Sequence, residues 1–376
     1  LETYLSARSG RRVAVRDLVK FPVGFSWITY GVRLAEDGSE RDVILRLGPP
    51  YGLFAPYSAL PEYETLKALE DSGARAPRAY DASDDASILG APFFMCERVE
   101  GSAPVPWSGR DSRAMDDARR TALAHDFIDS LAAIHTFDWS TSGLAPWGAG
   151  VSPQNASARQ IAEWRGKHDR WALRPHPMAY RAFAWLEDNQ PVAPRVSIVH
   201  GDYRLGNFLE QDGRITAILD WELVHLGDPV EDLGWAFLPQ YRGGTGLVCG
   251  LESEEGFLAR YEIKAGYTVD RKALRFYLVF SLLKLALTHM AAARCFAFGL
   301  AAGRAAAVCC WGAAAACCGA AGGADAAWTG AETGCTGATS PGGTAASEVA
   351  AGWPSLKESV APTTSGSRFT RPDCCR

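Results

Sequence analysis

Within the segment VHGDYRLGNFLEQDGRITAILDWE, residues 199–222, three side chains have the types and spacing for chemistry: Asp202, Asn207 five residues on, and Asp220 thirteen further. Oxygen donors of this kind suit a hard divalent cation such as magnesium, which prefers oxygen ligands and keeps part of its water shell. Asn207 and Asp220 would supply those oxygens from a loop and a strand end, leaving Asp202 to accept a hydrogen bond from an attacking hydroxyl and orient it. Phosphoryl transfer needs these parts, because its catalysis is mostly positioning plus neutralisation of charge on the phosphate oxygens. The plainer reading is that Asp202 and Asn207 cap turns. Against it stands the match of all three polar positions between an apolar strand and a hairpin.

His200-x-Asp202-x-x-x-x-Asn207 has the catalytic-loop spacing of protein kinases, with Asp220 in the place of the metal-binding Asp that follows. The wording HGDYRLGN, then LDWE and LGDP, resembles the aminoglycoside-phosphotransferase-like branch of the kinase-like superfamily. It looks most like the subgroup found alone or attached to acyl-CoA dehydrogenases, and the likeness covers roughly residues 20–295. The resemblance implies an α+β, bilobal protein-kinase-like fold with a small antiparallel-sheet N-lobe carrying one helix and a larger, mainly helical C-lobe. It implies an ATP- and magnesium-dependent phosphotransferase acting on a small-molecule hydroxyl, with GTP as the other candidate co-substrate. Asp202 is then the catalytic base, and Asn207 and Asp220 are the metal ligands. Arg46 stands where the family pattern has a phosphate-binding Lys, keeping the charge but replacing a point charge with a planar fork. Glu62, with Glu64 as competitor, is the partner ion for Arg46. Gly24 and Ser26 form the phosphate-covering turn, and Glu97 to Val99 form the hinge that meets the adenine.

Elements that would hold these residues are readable around them. Ile28, Tyr30, Val32 and Leu34 alternate as in a half-buried strand, Glu36-Asp37-Gly38 is turn chemistry, and Asp42 to Leu47 returns. In that return Val43 and Leu45 face a core while Arg46 emerges on the other side. A helix beginning near Pro61 carries Tyr63, Leu66 and Leu69 and stops at Gly73, and Ala91 to Val99 reads as a further strand. Helical stripes follow: Leu123, Phe127, Leu131 and Ile134, then Ile161, Trp164, His168 and Trp171, then 179–188. Val196 to Val199 leads into His200, a residue read as holding the loop. Asp212-Gly213 turns a second hairpin. Asp228, Pro229 and Glu231 read as a capping box, with Asp232 as a buried loop anchor. The last helix, Leu274 to Ala293, is interrupted by Lys284 and His289, which fits a core helix better than a membrane span. The tryptophans at 164, 171 and 185 read as core. The division is 1–99 for the nucleotide-binding lobe, 100–296 for the catalytic and acceptor-binding lobe, and 297–376 for a tail.

Composition bounds the rest. The 376 residues carry 43 acidic and 38 basic side chains, a net charge of -5, which argues against a dedicated nucleic-acid binder. The expected partners are nucleotide and a small-molecule acceptor, without nucleic acid or membrane. Leu1 in place of an initiator Met reads as a fragment or a translated reading frame. Only Cys96 and Cys249 of ten cysteines precede residue 295, the habit of a reducing, cytoplasmic compartment. The tail is Ala-, Gly- and Cys-rich, with too few large side chains to offset its ordering entropy. An out-of-frame translation of a GC-rich gene fits it better than a zinc site, since the pairs Cys309-Cys310 and Cys317-Cys318 lack the usual ligand spacing. Arg159, Arg165, Lys167, Arg170 and Arg174 against Glu163 and Asp169 make the acceptor region basic. That suits an anionic acceptor such as a hydroxyacyl-CoA better than a polycationic antibiotic. An aminoglycoside or other antibiotic phosphotransferase and an inactive kinase-like binding module are the alternatives.

Overall fold

Alternation of apolar and polar residues builds the first lobe. The computed structural model describes residues 1–21, 26–104 and 115–297, so Gly24 and the tail with its cysteine pairs lie outside the described residues. Helix α1 (Glu2–Ser9) precedes strand β1 (Val13–Lys20), neither of which the sequence reading anticipated. Strands β2 (Ile28–Glu36) and β3 (Ser39–Leu47) pair in unbroken antiparallel register from Ile28↔Leu47 to Glu36↔Ser39. Asp37 and Gly38 join them, both at positive φ (49° and 85°), the two-residue turn whose twist matches that of the strands. After α2 (Leu60–Ala68), β4 (Ala79–Ser83), the short α3 (Ala86–Leu89) and β5 (Phe93–Glu97), the five strands lie in the order β1-β2-β3-β5-β4. Helix α2 therefore ends a turn before Gly73, at Leu69.

The sheet has two working faces. Val32, Leu34, Val43, Leu45, Phe93 and Met95 close a small core with Leu5 of α1. Residues one position out of phase, Ile44, Phe94 and Cys96, belong with Trp27 and α2 to the main core. Arg46 therefore points toward the second lobe, as the pleat requires.

That lobe begins with α4 (Asp117–Thr136), capped by Asp116 accepting from the Arg119 amide at 2.7 Å. Its stripe Leu123, Phe127, Leu131 and Ile134 is fully buried. Helices α5 (Ala156–Trp171) and α6 (Pro177–Asp188) follow, then β6 (Ser197–Val199), the hairpin β7 (Phe208–Gln211) and β8 (Arg214–Ile218), and β9 (His225–Gly227), which pairs with β6. Helices α7 (Val230–Ala236), α8 (Glu254–Ala265) and α9 (Arg271–Ala297) complete the described chain. Among the described residues α9 has the length and apolarity to cross a membrane. It packs against α5, α6 and α7, and buries Lys284 in an ion pair. Trp164 and Trp171 are core, whereas Trp185 is 38% exposed and stacks on Phe276 of α9. The capping box does not form as read. The helix starts at Val230 with Pro229 as its N-cap. Asp228, one residue earlier, still accepts from the Val230 amide at 2.9 Å, but Glu231 turns inward to Lys284 at 2.7 Å instead of closing a box. Ion pairing with a buried ammonium outcompetes a cap here.

Candidate active site

Strand β6 delivers the chain into the loop His200–Asn207, whose first residues are held by a set of hydrogen bonds. His200 is buried, with Nε2 donating to Leu219 O (2.9 Å) and Nδ1 accepting from the Asp202 amide (3.2 Å). Burial lowers its pKa despite the nearby carboxylates of Asp232 and Asp202, so the ring is a neutral brace for the loop. Gly201 has φ 85°, and a Cβ there would meet Leu223 O at 2.6 Å. Only glycine allows that approach. Asp232 accepts from the amides of His200 (2.7 Å) and Gly201 (2.8 Å) and from His135 Nε2 (3.0 Å). Burial alone would raise its carboxyl, but the bonds from His135 and His200 hold it below the ordinary value.

This bracing presents Asp202 and Asn207 together. Asn207 Nδ2 donates to the Asp202 main-chain oxygen (3.0 Å) and to its Oδ2 (2.6 Å). Asp202 Oδ1 accepts from Arg204 Nε (2.9 Å) and Trp235 Nε1 (2.6 Å). The Leu219 amide donates to Asn207 O at 2.7 Å, which sets Asp220 beside the loop. Asp220 itself sits at φ 62° with its carboxylate 46% exposed, a left-handed conformation uncommon outside glycine and asparagine. Arg204 is thus an ion-pair partner of Asp202.

Arg46 comes from the sheet lobe and spans two carboxylates, with Nη1 on Glu62 (3.2 Å) and Nη2 on Asp220 (3.1 Å). Trp27 and Phe94 flank its guanidinium at 5.8 and 5.7 Å. Glu62 is therefore the partner, while the Glu64 carboxylate lies near Gly143. Burial pushes the Glu62 carboxyl up to about 7 even though Arg46 pulls the other way. Glu222, two residues past Asp220, was not singled out from sequence, yet its carboxylate accepts from Ser26 Oγ. Burial and then the neighbouring Asp220 raise its carboxyl. The Ser26 hydroxyl is thus engaged across the lobes. Glu97 closes β5 with its amide on Arg78 O (2.8 Å), and Val99 lies past the strand end, in the connection to the second lobe.

Arg46 invites a substitution test. Arg46→Ala removes the cation that faces a buried Glu62, and should weaken nucleotide binding and cost roughly 1–3 kcal/mol of stability. Arg46→Lys restores a charge without the fork and should fall between wild type and Ala in both titrations. Lys as damaging as Ala would assign Arg46 to a fixed bidentate pair instead.

A small antiparallel sheet bearing a cation, set over a helical lobe that presents an Asp-Asn loop and a following Asp, defines the kinase-like phosphotransferases. Residues 21–277 match the Phosphotransferase enzyme family, and the chain belongs to that family. Acyl-CoA dehydrogenase family member 10 of Mus musculus is 30% identical over 245 residues, 64% of this chain and 22% of that protein. The chain spans between 22% and 35% of the length of the curated relatives it matches. A crystal structure from Ralstonia eutropha assigned to the aminoglycoside phosphotransferases is 28% identical. Its TM-score is 0.61, with 80% of this chain and 89% of that one covered. The aminoglycoside phosphotransferase APH(4)-Ia, in a ternary complex with AMP-PNP and hygromycin B, shares the fold at 18% identity and TM-score 0.51. That match covers 79% of this chain and 96% of that one.

Proposed function

We propose that the chain is an ATP- and magnesium-dependent kinase that phosphorylates a hydroxyl of an anionic small molecule, such as a hydroxyacyl-CoA. The observation that carries this reading is the orientation of Asn207. Both amide hydrogens are directed at Asp202, which leaves the Asn207 Oδ1 as an oxygen donor, and the Leu219 amide on Asn207 O ties the loop to the residue before Asp220, whose carboxylate is half exposed. Among the described residues no three His, Cys, Asp or Glu side chains group to hold a metal. A two-ligand site suits magnesium, which retains water and takes phosphate oxygens as further ligands. Asn207 and Asp220 would hold that ion, and it would supply positive charge against the phosphate oxygens. Arg46 adds cationic charge from the sheet lobe. Asp202 acts at Oδ2: its Oδ1 already accepts two bonds, whereas Oδ2 accepts one and keeps a lone pair for the acceptor hydroxyl.

The acyl-CoA dehydrogenase names of the relatives support an anionic acceptor. The basic residues on and just after α5 do not add to it. Lys167, directed inward beside Trp164 (4.4 Å) and Phe54 (5.9 Å), is paired with Glu163 at 2.7 Å. Arg165 pairs with Glu187 on α6, and Arg159, Arg170 and Arg174 are exposed. The test is release of γ-phosphate from ATP and, in parallel, GTP, against hydroxyacyl-CoAs, other hydroxylated metabolites and aminoglycosides. Acceptor-dependent turnover on the CoA esters is the expected result. Turnover on aminoglycosides alone overturns the acceptor. Nucleotide binding without turnover on any compound leaves a binding module.

A further inference from the structure

Helix α7 is buried along its whole length, and three of its side chains act on the loop that holds Asp202. Asp232 fixes the His200 and Gly201 amides, as described. Glu231 holds Lys284 at 2.7 Å, and the same ammonium donates to Gly201 O at 3.3 Å. One turn on, Trp235 places its indole N–H 2.6 Å from Asp202 Oδ1. Helix α7 packs closely on α9: a Cβ on Gly234 would lie 2.7 Å from the Tyr277 backbone carbon of α9. The Lys284 ammonium also sits 5.0 Å from the Trp235 ring centroid, a cation–π contact that pins the ring.

We infer that Trp235 is a positioning residue for phosphoryl transfer, holding the Asp202 carboxylate through its indole N–H so that Oδ2 faces the acceptor. The inference rests on the phosphotransferase reading above. Arg204 also donates to Oδ1, but its side chain is 20% exposed and reaches Asp202 from the loop itself. Trp235 is 2% exposed and reaches it from a different element, so it fixes the carboxylate against the body of the lobe. A core packing role alone would be met equally by a ring of the same volume without the N–H. The N–H is the feature to test.

Two substitutions remove the N–H: replacement of Trp235 by β-(3-benzothienyl)alanine, which keeps the ring volume and puts sulfur in place of the N–H, and Trp235→Phe, which also leaves a cavity. Loss of one hydrogen bond to a charged group should lower kcat between about tenfold and a hundredfold, with KM for nucleotide and Tm held in the sulfur isostere. Wild-type kcat in the sulfur isostere would overturn the inference, and so would a lower kcat accompanied there by a higher KM and a lower Tm, since that marks packing. An independent arm uses the indole N–H signals of 15N-labelled protein. The signal that Trp235→Phe removes should lie downfield and move on Asp202→Ala; a signal unmoved by Asp202→Ala means the bond is absent in solution. Absence of turnover in the wild type sinks the phosphotransferase reading, while the spectrum still decides the hydrogen bond.

Discussion

In Asp202→Ala, turnover is expected to fall by about a hundredfold to ten-thousandfold, the cost of losing a positioned general base, with nucleotide affinity near that of the wild type. The separation follows from where the parts sit. Arg46 and Glu62 belong to the sheet lobe, and Asp220 follows β8 and pairs with Arg46 at 3.1 Å. The Arg46 cation therefore does not depend on the Asp202 side chain. Asn207 loses one acceptor at Oδ2 but keeps its bond to the Asp202 main-chain oxygen at 3.0 Å, so its own oxygen stays directed as before. Steady-state kinetics and calorimetric titration of the nucleotide give the two numbers. Turnover near wild type would remove Asp202 from the mechanism, and a parallel loss of nucleotide affinity would make it a structural anchor.

What the sequence made readable was local. Asp202, Asn207 and the β7–β8 hairpin lie within twenty residues, and their geometry follows from backbone hydrogen bonds over short separations. The β2–β3 hairpin was readable for the same reason: strict alternation and an Asp-Gly turn. Strand β1 was not, because its register slips between Val15 and Asp17 and breaks the alternation. Strand β4 carries a similar slip between Ala79 and Asp81 and a buried aspartate in its middle. Both slips erase the periodicity on which strand recognition rests.

The remaining parts of the site are long-range pairings that no local pattern encodes. Ser26 meets Glu222 across 196 residues, and Trp235 meets Asp202 across 33. Glu231 shows how this misleads. Its spacing after Asp228 is that of a capping box, and only the fold reveals that Lys284, 53 residues on, claims the carboxylate. Trp235 was hidden in the same way, as one more large residue in an apolar run. Buried charges in the final helix were the available signal, since a lysine is rarely fully buried without a partner.

That buried pair yields the largest expected effect on stability. Lys284 and Glu231 are each 1% exposed and 2.7 Å apart, with Trp164, Trp235 and Phe280 around the ammonium. Lys284→Met keeps the chain length and the ring contacts but leaves Glu231 facing only His225, at 3.3 Å. Breaking one side of a buried pair costs about 3–5 kcal/mol, which chemical denaturation at neutral pH would register as a clear drop in midpoint. Adding Glu231→Gln to Lys284→Met should recover part of the loss, because the unpaired charge is then gone. The acid limb gives a second check. Burial would raise the Glu231 carboxyl, but Lys284 and then His225 hold it down at about 2, below its ordinary 4.5. A carboxyl lowered on folding adds stability that is complete above the unfolded value and fades as pH falls from about 4.5 toward 2. The wild type should lose that increment over this window, and Lys284→Met should lose much less of it. A Lys284→Met protein as stable as the wild type at pH 7 would mean that water reaches Glu231, and that α9 does not seal the back of the catalytic loop.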